Sequence, residues 1–303
     1  MDSDMLHPAG TDKEWNESLY FNLYDKENDL CMFMRIGLKP NMDERSAFCF
    51  IMMPDGSLVG MKDQEPLGSG GLDVRSLRFE KIETEKRWKL TFNGTMARMA
   101  GTRPEPVPVS FDLEFVSLNP MFDYRECVDA ESERLSQKVA SEHLEQFGRA
   151  SGSLRVGEQE FAISGLGERD HSWGVRDWNA PKMWIWLTAE FSDGLAFNVT
   201  KLFMEEGVVS AGFVYRDGRN LPVVKADIET VLDPDGTPRS LKIKLQDKYG
   251  GKHHADAEII REALMPFPSR DGKSTSIMHE TLAEYRFAGK RGYGIAEYLV
   301  RKS

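Results

Sequence analysis

The 303 residues contain no basic run and no interleaving of aromatic with basic residues, and their formal net charge is -10. Phosphate backbones are held by clustered Lys and Arg, so no nucleic-acid partner is expected. Cysteine is scarce. Cys31, Cys49 and Cys127 are unevenly spaced and form neither a Cys-x-x-Cys metal pair nor a disulfide framework. They are expected as small buried thiols in a reducing cytoplasm. Long apolar runs are missing, and with them a membrane span. The opening MDSDMLHPAG lacks the basic and apolar regions of a secretory signal, so the expected location is cytoplasmic. The Gly-x-Ser-x-Gly elbow, the dinucleotide fingerprint and the P-loop are absent as well, and no cofactor is expected.

What is present is alternation. A hydrophobic share of 40% beside a charged share of 29% describes a globular chain with enough length for one large or two ordinary domains. Period-two patterning predicts strands over 19–24, 30–38, 47–53, 57–61, 74–82, 88–92 and 109–117. After an interruption it resumes over 152–156, 159–164, 182–191, 195–203, 208–215, 221–232, 240–246, 254–260, 281–287 and 293–300. Turn chemistry separates these runs, as at Asp217–Gly218, 192–194 and 233–236. Short strands at this spacing predict an all-β barrel or sandwich. The glycine cluster at 68–71 is followed by strand-like alternation instead of a helix, so a plain loop is expected there. Met32, Met34, Met42, Met52, Met53, Met61, Met96 and Met99 fit core packing better than a lipid-facing surface.

The interruption spans 129–147. Leu135, Val139 and His143 follow a loose helical spacing among charged residues, which predicts a connecting helix with a solvated face.

Residues 165–178, GLGERDHSWGVRDW, are the densest chemical run. On a strand, Arg169, His171 and Trp173 share one face, and Asp170 and Ser172 take the other. A cation, an imidazole and an indole together are costly to bury unless paired. The face lines a cavity or forms a buried polar network, and the residues alone leave both open. Beyond it, Trp184 and Trp186 share a face of the run KMWIWL, either as a Trp-rich core or as the wall of a cavity.

The central run resembles the His-x-Trp-Gly signature of the hydroxyneurosporene synthase (carotenoid 1,2-hydratase) superfamily. That group also takes in tocopherol cyclase-like proteins, AttH-like proteins and fungal Diels–Alderases, and RDHSWGVRDW is most similar to a bacterial branch of it. Residues 15–25 and 292–301 resemble the family more weakly. The resemblance implies two lipocalin-like antiparallel β-barrels in tandem, joined by a short helix. The expected division is 1–142 and 143–303, with the RDHSWG motif in the second barrel.

It also implies a hydrophobic small-molecule substrate and chemistry by alkene protonation, with capture of the cation by water or an internal nucleophile. Such chemistry needs a proton donor in a dry pocket, with aromatic faces near the cationic carbon. His171 is the expected donor, with Asp170 or Asp177 tuning its charge and Trp173 lining the pocket. Arg169, Arg176, Trp184 and Trp186 are expected to contact the substrate. The family's acid–aromatic pair corresponds to 196–201, AFNVTK, where Asn198 and Thr200 stand without a carboxylate and are expected to hold a polar substrate group or a water. The implied function is a cofactor-independent lyase, hydratase or cyclase, and a non-catalytic binder of hydrophobic molecules is the alternative. Metal is not expected. His254, Asp256 and Glu258 alternate onto one strand face, but an exposed polar edge explains them. Glu297 is expected to pair with Arg169 or Arg176. The oligomeric state is left open.

Overall fold

The computed structural model describes residues 3–302, apart from 69–70, 101–102, 137–141, 193, 235 and 270–272. Parts of the expected loop at 68–71, of the turns at 192–194 and 233–236, and Val139 of the expected helix lie outside the described residues.

The chain divides into two compact units, Met1–Met121 with Leu144–Val175, and Phe122–His143 with Arg176–Ser303. In the first half the strands are β1 (Trp15–Asp25), β2 (Leu30–Lys39), β3 (Glu44–Met52), β4 (Leu58–Glu65), β5 (Asp73–Val74), β6 (Leu77–Glu83), β7 (Arg87–Met99) and β8 (Glu105–Ser117). The short β9 (Phe122–Asp123) and the helix α1 (Ala130–Ser136) follow, then β10 (Glu142–Val156) and β11 (Gln159–Val175). The sheet order β4-β3-β2-β1-β11-β10-β8-β7 closes on itself because β4 also pairs with β7, and β6 and β5 continue outward from β7. This is the first barrel.

Alternation decides its filling. Leu19, Phe21 and Leu23 of β1, Met32 and Met34 of β2, Trp88 of β7 and Phe115 of β8 meet in one apolar core. Met32, Met34, Met53 and Met96 lie in that core, so these methionines pack the interior. Gly167 allows a close approach, since a Cβ there would stand 1.9 Å from the Asn22 carbonyl oxygen on β1.

The second unit contains a closed antiparallel barrel, β12 (Met183–Ser192), β13 (Leu195–Phe203), β14 (Val208–Arg216), β15 (Arg219–Leu232), β16 (Pro238–Asp247), β17 (Lys252–Pro268), β18 (Thr275–Phe287) and β19 (Lys290–Lys302). Asp217 and Gly218 both take positive φ between β14 and β15, as a tight hairpin on a twisted sheet requires. Ile185, Leu187, Phe197, Val199, Val214 and Tyr285 fill its interior. The fold is thus all-β, with two lipocalin-like antiparallel barrels in tandem.

The expected boundary differs from the observed one. β11, which carries the RDHSWG motif, pairs with β1 from Trp15↔Val175 to Tyr24↔Leu166 and belongs to the first barrel. The first ring needs β10 and β11 to close, and that long-range pairing leaves no trace in local patterning. Among the described residues the connecting helix α1 covers Ala130–Ser136, and His143, expected to continue it, lies on β10. Cys31, Cys49 and Cys127 are buried thiols outside any disulfide among the described residues. No helix among the described residues is long and apolar enough to cross a membrane.

Candidate functional site

The motif strand projects Arg169, His171 and Trp173 on the same face as their β1 partners Phe21, Leu19 and Glu17. That face is the interior of the first barrel. Burial of these groups is matched by pairing. Arg169 is 1% exposed, and its Nη1 meets Asp4 Oδ1 at 2.8 Å, with both side chains buried. Its Nε and Nη2 donate to Gln146 Oε1 at 2.9 and 2.7 Å, and its Cζ lies 5.6 Å from the Trp88 ring centroid. Burial lowers the pKa of the Arg169 guanidinium, and the Asp4 charge opposes that shift. The cation expected to receive a substrate is already neutralised from within the chain.

His171 is fully buried. Its Nδ1 lies 2.9 Å from the Ser3 carbonyl oxygen and its Nε2 lies 2.9 Å from Glu17 Oε1. Both partners are acceptors in their usual forms, so a proton or a cation must stand between Nε2 and the carboxylate. His7 joins the same carboxylate, with Nδ1 2.7 Å from Oε1 and its backbone N–H donating to Oε2 at 2.9 Å. The His7 ring stacks on Trp173, with centroids 3.8 Å apart. The carboxylate that serves His171 is therefore Glu17. Asp170, the expected partner, is turned to the other face by strand alternation and stands opposite Tyr20 on β1. Beside it, the Ser172 and Ser18 hydroxyls lie 3.3 Å apart.

A second polar group gathers in the other unit. On β12, Ile185, Leu187 and Ala189 face the barrel core, so Trp184, Trp186, Thr188 and Glu190 take the opposite face. Cross-strand pairing extends that face to Thr200 and Asn198 on β13, opposite Trp186 and Thr188, and to Glu297 on β19, also opposite Trp186. Asn198 is fully buried. Tyr124, from the 3₁₀ turn Tyr124–Glu126, donates its hydroxyl to Asn198 Oδ1 at 2.5 Å and lies 3.0 Å from Thr200 Oγ1. Trp184 Nε1 donates to Glu297 Oε1, where an arginine partner was expected. β13 has no carboxylate on this face, but the adjacent β12 carries one. Glu190 is 5% exposed and accepts from the Thr188 hydroxyl at 2.7 Å. Burial pushes its carboxyl up to about 8, so it holds a proton at neutral pH.

The remaining expected residues are dispersed. Arg176 sits over Trp178, with Cζ 5.5 Å from the ring centroid. Asp177 accepts from the Asn179 backbone N–H at 2.9 Å. His254, Asp256 and Glu258 are exposed on β17. Trp173 belongs to the first unit, and Trp184 and Trp186 to the second. Sequence reasoning missed Glu17, His7, Tyr124 and Glu190. The signal for Glu190 was available, since an acid two residues beyond Thr188 on an otherwise apolar strand shares its face.

A family model described as Domain of unknown function (DUF7064) matches residues 1–302. No curated protein matches the chain. The fold is similar to the crystal structure of an AttH of Nitrosomonas europaea, with a TM-score of 0.62 and 11% identity over 99% of this chain and 98% of that one. It is similar to CghA with Sch210972, with a TM-score of 0.61 and 12% identity over 95% and 89%. Kievitone hydratase of Nectria haematococca is similar too, with a TM-score of 0.57 and 10% identity over 94% and 89%. At such identities the likeness shows the fold.

Proposed function

The chain belongs to the family described as Domain of unknown function (DUF7064), and from that premise we propose a cofactor-independent lyase, hydratase or cyclase that acts on a hydrophobic small molecule by proton transfer. One observation carries this reading. A buried carboxyl, Glu190, retains its proton at neutral pH on the same strand face as two indoles and a buried amide–hydroxyl group. The kievitone hydratase fold supports it as an analogy.

In this reading Glu190 is the general acid. Its proton goes to an alkene carbon of the substrate, and the π pair becomes the new C–H bond. The resulting cation is stabilised by the face of Trp186, the indole nearer to Glu190 along β12. Water or a nucleophile within the substrate captures it, and the proton released at capture returns to the Glu190 carboxylate. Asn198, Thr200 and Tyr124 hold the nucleophilic oxygen or a polar substrate group. His171 is assigned no donor role, because both of its ring nitrogens are engaged.

The test uses a panel of isoprenoid, phenolic and polyketide-like alkenes, scored by mass spectrometry for added water or for an isomer of unchanged mass. Glu190→Gln is expected to lower turnover by about a hundredfold or more, a usual general-acid contribution, with ligand affinity retained. Turnover should also fall as pH rises through about 8, where Glu190 loses its proton. Unchanged turnover in Glu190→Gln overturns the assignment. Binding by the wild-type protein without any product across the panel would instead identify a carrier.

A further inference from the structure

Three side chains at one end of the first barrel remain unused by that reading. We propose that His7, Glu17 and His171 bind a divalent transition-metal ion, with zinc the expected occupant.

Hydrogen-bond parity around Glu17 calls for a cation. The Ser3 carbonyl at 2.9 Å fixes Nδ1 of neutral His171 as its N–H, so the Nε2 lone pair points at Glu17 Oε1. His7 Nδ1 points at that same oxygen from 2.7 Å. Ligand atoms of all three residues lie within 4.8 Å of one another. A buried carboxylate anion is costly without compensation, and the Glu17 side chain is only 2% exposed. One cation among the three atoms would accept both imidazole lone pairs and neutralise the carboxylate together.

The surroundings match a ligand set. An imidazole that binds a metal through one nitrogen is usually oriented by a hydrogen bond from the other to a carbonyl or carboxylate. His171 makes that bond to Ser3. Trp173 fixes the ring plane of His7 by stacking, with 12° between the planes. Two imidazoles and one carboxylate suit zinc and its first-row neighbours, and three protein ligands leave a fourth position for water or a substrate oxygen. His7 is 22% exposed, which gives an approach to that position. Such an ion would fasten residue 7 to β1 and β11, while Asp4 is fastened separately to Arg169. The proposal concerns the first unit and stands independently of Glu190.

Zinc titration of the full-length chain after chelator treatment, followed by calorimetry, tests it, with cobalt as the spectroscopic probe. The expected result is one ion per chain, bound more tightly than about 1 µM, a cobalt visible band and a rise in melting temperature. His7→Gln is the informative variant, because His7 lies outside the strands. It should weaken zinc binding by about a hundredfold or more and abolish the zinc-dependent rise in melting temperature. His254→Gln, at an exposed histidine of β17, should change neither. Absence of stoichiometric binding in the wild-type chain overturns the proposal, as does binding unaffected by His7→Gln. Turnover in the alkene panel plays no part in this test, so each proposal can fail alone.

Discussion

The motif strand of the first barrel and β12 of the second handle buried ionisable groups in opposite ways. In the first, each inward-facing ionisable group of the motif strand has a buried carboxylate for a partner. Arg169 has Asp4, and His171 has Glu17. In the second, Glu190 is buried against a neutral hydroxyl, and desolvation wins. Pairing keeps a buried charge and makes it structural. Lack of pairing turns a buried acid into a proton reservoir, which is the more useful state for chemistry at neutral pH. In the proposed function the Arg169 pair belongs to the framework of its barrel, and Glu190 is assigned the proton-donor role first expected of His171.

Breaking the paired side should cost most. Arg169→Met removes the counter-charge of the buried Asp4 carboxylate and is expected to destabilise the protein by about 3 to 5 kcal/mol in urea unfolding. The double variant Asp4→Leu with Arg169→Met should regain most of that loss, because the charge and its counter-charge leave together. The unpaired side should show in pH dependence. Between 4.5 and about 8 the folded protein keeps a proton on Glu190 that the unfolded chain has released. That contribution is complete below the unfolded value and is lost as pH rises through the folded one. Glu190→Gln should remove this decline and stabilise the protein at pH 9 by on the order of 3 kcal/mol, measured by denaturant melts across pH. A flat wild-type profile would remove the contrast between the barrels. Next in size, Tyr124→Phe strips a hydroxyl from buried Asn198 and should cost about 1 to 2 kcal/mol. Smallest is Ser18→Ala, which loses a 3.3 Å hydroxyl contact and should shift stability by less than about 1 kcal/mol.

Alternation made most of the strands legible, and it placed Arg169, His171 and Trp173 on one face. It also put Asp170 on the opposite face, where the structure has it. The interior partners were not legible, because Glu17 lies 154 residues from His171 and only strand pairing brings them together. The same limit misplaced the barrel boundary, since β10 and β11 have ordinary strand patterns and their membership depends on β1 and β8. Tyr124 escaped notice because it sits in the segment between β8 and β10, which interrupts the first barrel's sequence without strand periodicity. Glu297 was recognisable as a candidate, yet its partner is an indole of the neighbouring strand. Residue type indicated the chemistry in each case, and register decided the partner.

The closure of the first barrel has a kinetic consequence. β7 pairs with β8 along nearly its whole length, from Arg87↔Val116 to Arg98↔Glu105, but among the described residues it meets β4 only through Leu58, Val59 and Gly60. A ring with one short seam should open there first. In hydrogen–deuterium exchange, the amides of residues 58–60 and 97–99 should lose protection before those of the β1–β11 pair, through brief unzipping that leaves the rest of the ring hydrogen-bonded. The motif strand lies on the far side of that ring from the seam, so this breathing would leave its polar pairs undisturbed.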